Sequence, residues 1–139
     1  MTTHLNKAEY QLLAAFRYTL RRFLRFSEES ARAVGIEPQQ HQALLAIKGF
    51  PERERMTIGE LAERLQIKHH SAVELADRLV SNGLAARELD SADRRQVYLT
   101  LTPHGEAVLG QLTTAHREEL RRLGPELHVL LSRLSDGTE

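Results

Sequence analysis

Residues Met56 to Gly83, "MTIGELAERLQIKHHSAVELADRLVSNG", constrain the fold more than any other stretch of this chain. Thr57 and Glu60 stand three residues apart at the head of an apolar run. A threonine hydroxyl in that position can accept the Glu60 N–H while the glutamate reaches back to the threonine N–H, so a helix starts here. Ile58, Leu61, Ala62 and Leu65 give it one apolar side, and "LQIKH" breaks it. A second helix follows at once, with Ala72, Leu75, Ala76, Leu79 and Val80 inward. Asn82-Gly83 ends it, because glycine accepts the left-handed conformation past a helix end. Two short helices joined by a tight turn are the outline of a helix-turn-helix.

After Gly83 the apolar period changes from 3.6 to 2. Leu84–Leu89 and Gln96–Leu101 read as two strands with Val97, Leu99 and Leu101 on one face, joined by a loop from Asp90 to Arg95. Thr102 and Pro103 suit the cap and first position of another helix, lined by Val108, Leu109 and Leu112. Gly124-Pro125 is expected to divide it from a last helix carrying Leu127, Leu130, Leu131 and Leu134, with a frayed tail from Ser135. Upstream, Leu13, Phe16, Leu20, Phe23 and Leu24 recur at helical spacing in a long helix over residues 6–33 that Gly35 closes. Pro38 opens a helix running to about Ile47, with Leu44, Leu45 and Ile47 on its buried side. Lys48 to Arg55 reads as a polar loop.

The fold class is therefore mainly α with a small β-hairpin, in one domain. A winged helix-turn-helix lobe over residues 38–102 is flanked by terminal helices at 6–35 and 103–134. Those helices are too long and too apolar for so small a core to cover. A second copy of the chain is the expected cover, which predicts a homodimer.

Composition narrows the function. Nineteen Lys and Arg balance nineteen Asp and Glu, so nucleic-acid binding must rest on where charge is placed. Arg17, Arg21, Arg22 and Arg25 crowd the first helix as a solvated face or partner contact, and Arg94-Arg95 crowd the loop between the strands. There is no cysteine, no apolar run near the ~20 residues of a membrane span, and no signal-peptide pattern at the start. A cytoplasmic protein without membrane contact is expected. No H-E-x-x-H, phosphate loop or nucleophile elbow occurs, so we expect no enzyme. His41, His104, His116 and His128 are scattered and the adjacent His69 and His70 diverge on a helix, so neither metal nor cofactor is expected.

From Met56 to Leu109 the chain resembles the MarR family of bacterial transcriptional regulators. The resemblance is carried above all by "LADRLVSNGL", "DSADRR" and "LTLTPHG". It implies a dimer held by the terminal helices on a near-palindromic duplex operator, acting as a repressor released by a small aromatic or phenolic effector. The second helix of the motif would enter the major groove with Lys68, His69, His70 and Ser71 toward base edges and phosphates. Exposed paired histidines can also be plain surface. Glu74, one turn on, departs from the family pattern, and an intrahelical pair with Arg78 is the favoured role. Arg94 and Arg95 would enter the minor groove, Arg94 the deeper, because a narrow A·T-rich groove concentrates negative potential. Asp93 would hold the loop by accepting from an arginine or loop amides, Asp90 would start the turn, and Thr57 would add a phosphate contact to its capping role. The family's effector pocket points to Phe16, Tyr18, Phe23, His41 and Phe50. The competing reading is a winged-helix module for protein partners, which an arginine-tipped loop argues against.

Overall fold

The computed structural model describes residues 5–136. The elements in chain order are α1 (Lys7–Ala33), α2 (Pro38–Lys48), β1 (Arg55–Met56), α3 (Ile58–Leu65), α4 (His69–Ser81), β2 (Ala85–Leu89), β3 (Val97–Leu101) and α5 (Pro103–Ser135). None of the described helices is long and apolar enough to cross a membrane. The chain forms two compact units, one of residues 31–113 and one in which the start of α1 packs with the later part of α5.

The core of the first unit is a cluster of apolar side chains. Leu44, Ile47, Met56, Leu61, Leu75, Leu79, Leu84 and Leu99 are fully buried, with Val108, Leu109 and Leu112 of α5 closing one side. Burying each such side chain is worth about 2 kcal/mol, which sets this inner face as the frame on which α3 and α4 sit. Leu45 is the exception to the expected α2 face. It is 50% exposed, and Ala43 takes the inward place, since positions 40, 43, 44 and 47 share one side of a helix and 45 does not.

The sheet is three-stranded in the order β1-β3-β2, not the expected hairpin alone. Arg55 pairs with Thr100 and Met56 with Leu99, while β2 and β3 run in register from Ala85–Leu101 to Leu89–Val97. The stretch from Lys48 to Arg55 is thus less of a free loop than its composition suggests. Lys48 Nζ bridges Glu54 at 2.8 Å and Glu106 at 3.0 Å. Val97 lies on the Leu99 side of the sheet but is exposed beside exposed Leu89, because the ladder runs past the edge of the core. On the other side Tyr98 is buried under guanidinium groups, Arg55 at 3.9 Å and Arg53 at 5.3 Å from its ring centre.

α5 also differs from expectation. It runs through Gly124-Pro125 without a break. A helical φ suits proline, and the cost is one lost hydrogen bond and crowding against the preceding turn. Both sides of the proline are tied down. Leu123 is fully buried, and the Glu126 carboxylate accepts from the Thr19 hydroxyl at 2.7 Å. His116 Nε2 lies 2.8 Å from Ser27 Oγ, so α1 and α5 pack antiparallel. Of the tail expected to fray from Ser135, Ser135 is the last residue of α5, and the residues after Asp136 lie outside the described ones.

Candidate nucleic-acid interface

The interface begins at the turn between α3 and α4. Thr57 Oγ1 accepts from the Glu60 N–H at 3.2 Å and Glu60 Oε1 accepts from the Thr57 N–H at 2.9 Å, as the spacing of the two residues predicts. Burial on its own would push the Glu60 carboxyl up. The Thr57 amide and the Arg53 guanidinium outweigh it and hold the group below the usual carboxylate range. Gln66 then closes α3 in the left-handed region at φ 56°, a conformation that costs a non-glycine residue about 1 kcal/mol and turns the chain sharply. Lys68 is the extended residue before α4.

On α4 the buried residues Ala72, Leu75, Ala76 and Leu79 define the inner face. Lys68, His69 and His70 stand exposed at its start, and Ser71 is half-buried. Outward on the same helix lie His70, Val73, Glu74 and Asp77. Asp77 is bridged to Arg87 of β2, which ties this helix to the wing. Arg78 does not pair with Glu74 as expected. Its guanidinium reaches Glu37 before α2 at 3.2 Å. Glu37 stands at the N-terminus of α2, where the helix dipole favours a carboxylate. Glu74 has no ion pair among the described residues.

At the wing the two arginines differ. Arg95 is 92% exposed yet engaged with Asp93, which accepts from its backbone N–H at 3.1 Å and from its guanidinium at 3.1 and 3.3 Å. The Arg95 guanidinium, with help from its amide, holds the Asp93 carboxyl below its usual range. Arg94 is exposed with no ion pair among the described residues. The loop closes through Gln96 N–H to Asp93 O at 2.9 Å and Asp90 N–H to Gln96 O at 3.1 Å.

Sequence reasoning missed the group that supports this wing. Arg55 donates to Glu88 at 3.3 Å, lies 3.6 Å from Asp90, and stacks on Tyr98. Arg53 bridges Glu60 and stacks on Phe50, with Arg64 on the same ring at 4.9 Å. The available signal was the alternation of Arg53 and Arg55 beside Met56, a hint of a strand too short to show a period.

The aromatic residues singled out for an effector divide between the units. Phe16 and Phe23 are half-buried and Tyr18 is exposed in the terminal unit, where Phe23 meets His116 edge-on at 5.8 Å and Tyr18 lies under Arg22. His41 is buried and Phe50 half-buried in the other unit. Among the described residues no three His, Asp or Glu side chains gather as metal ligands.

A helix-turn-helix followed by an arginine-tipped β-wing, with an added first strand, defines the class: a winged helix. Residues 34–96 match the model of the MarR family. Over these residues the chain is similar to that family, in line with the resemblance seen in the sequence. The chain is similar to the HTH-type transcriptional regulator YsmB of Bacillus subtilis, 39% identical over 66 residues, which are 48% of this chain and 45% of that protein. It is also similar to the HTH-type transcriptional repressor MdtR of the same organism, 29% identical over 94 residues, 68% of this chain and 59% of that one. The chain thus spans about half the length of the curated relatives it matches. Both are named as transcriptional regulators and neither as an enzyme. Its fold is that of a mutant MarR from E. coli solved in complex with operator DNA, at a TM-score of 0.67 and 23% identity, covering 95% of this chain and 99% of that one.

Proposed function

We propose that this protein is a cytoplasmic, dimeric transcriptional regulator that binds a near-palindromic duplex operator. It acts as a repressor released by a small aromatic or phenolic effector. Lys68, His69, His70 and Ser71 meet the major groove, and Arg94, supported by Arg95 and Asp93, enters the minor groove. Thr57 adds a phosphate contact at the start of α3. Phe16, Tyr18, Phe23, His41 and Phe50 are the candidates for effector contact.

One observation supports the reading above the rest. In a chain with no net charge, an arginine without an ion pair stands at the tip of a wing whose other charges are all paired. Such a guanidinium sheds its hydration readily and suits a narrow groove of negative potential. The relatives point the same way, since one is named a repressor and a solved structure of this fold holds operator DNA. For the dimer, the support is apolar surface left open on the terminal helices, with Leu13 53% and Leu24 45% exposed on α1 and Leu120, Val129 and Leu131 exposed on α5.

The test is selection of bound sequences from a pool of random duplexes. The proposal predicts enrichment of an inverted repeat with half-site centres about 10 bp apart. Absence of any enriched sequence would overturn it.

A further inference from the structure

The remaining carboxylate on the outer face of α4 is placed where an acid is costly. Glu74 is exposed one turn beyond His70, on the side opposite the buried Ala72, Leu75, Ala76 and Leu79. α4 carries two acids. Asp77 is neutralised by Arg87 of β2, whereas the cation spaced to neutralise Glu74 is committed to Glu37. An uncompensated carboxylate carried into a groove lined with phosphate is repelled unless it finds a donor there. Among base edges in the major groove the donors are the amino groups of cytosine and adenine. Cytosine N4 is the one a carboxylate suits, because adenine sets an acceptor, N7, beside its amino group.

We propose that Glu74 is a specificity-determining residue that accepts a hydrogen bond from the N4 amino group of a cytosine in each operator half-site. The inference rests on the DNA-binding reading above. Glu74 contributes little to affinity in general and much to the choice of base at one position. The commitment of Arg78 to Glu37 is what leaves the carboxylate available.

Selection from random duplexes, run in parallel on the wild-type protein and Glu74→Ala, tests this. The substitution lies on an exposed helical face where alanine is well tolerated, so folding is retained. Wild type should enrich a cytosine at one symmetry-related position in each half-site. Replacing that cytosine should weaken wild-type binding by about tenfold, and Glu74→Ala should reduce the difference to less than about twofold while other positions keep their preferences. An unchanged sequence preference in Glu74→Ala, with uniformly tighter binding, would show that the carboxylate only repels phosphate and would overturn the proposal. If wild type enriches no sequence at all, the DNA-binding reading fails and this inference falls with it.

Discussion

Arg94 and Arg95 are neighbours in sequence with opposite commitments in the fold. Arg95 commits its guanidinium to Asp93 and so shapes the loop, while Arg94 has no ion pair among the described residues. Arg94→Ala should therefore weaken operator binding by about tenfold or more, leaving the thermal midpoint and the sedimentation coefficient unchanged. Loss of the dimer in that variant would show the wing to be misplaced. Gly105 is a second residue whose role is geometric. A Cβ built on it would collide with the Leu84 carbonyl group, so Gly105→Ala forces the backbone apart. It should cost about 2 kcal/mol or more in chemical denaturation, and an unchanged midpoint would mean that α5 can slide away from Leu84. The glycine was visible in "LTPHG", but its reason was not, because Leu84 lies far back in the chain, before the whole of the wing.

At the scale of elements, what was legible was local. The Thr57–Glu60 box, the Asn82-Gly83 stop and the two longer strands each depend on residues a few positions apart, and all are present in the structure, although burial along the strands does not alternate as expected. β1 escaped because two residues carry no period, and the partner of Arg78 escaped because Glu37 is 41 positions away. α5 passes through Pro125 because contacts with α1 on both sides outweigh one lost hydrogen bond. The capping box predicts a pH dependence. The Glu60 carboxyl sits lower in the folded chain than in the unfolded one. Its contribution is therefore present above the unfolded value of about 4.3 and is lost as pH falls through the lower folded value. In denaturant titrations the midpoint of wild type should exceed that of Glu60→Gln near neutrality, and the gap should narrow as the solution is acidified. A gap that widens in acid would contradict the assignment. Thr57→Ala, which removes the other half of the box, should cost about 1 kcal/mol.

The whole molecule comprises a winged-helix unit with an apolar core and a terminal unit that carries exposed apolar side chains. Leu13 and Leu24 of α1 are exposed apolar side chains that the proposed dimer would cover. Under the dimer proposal, Leu24→Glu should shift the protein toward the monomer in sedimentation and lower operator affinity with it, since two half-sites are read together only by two joined lobes. A wild-type protein that sediments as a monomer at micromolar concentration would remove the dimer. The central claim, that placed charge rather than net charge binds duplex DNA, is tested most directly by fluorescence anisotropy at two salt concentrations, with the selected inverted repeat and a scrambled duplex of equal length. The account predicts tight binding to the repeat, weak binding to the scrambled duplex, and a steep fall of both as salt rises, each neutralised phosphate adding about 0.9 to the logarithmic slope. Equal affinity for both duplexes, or binding indifferent to salt, would contradict it.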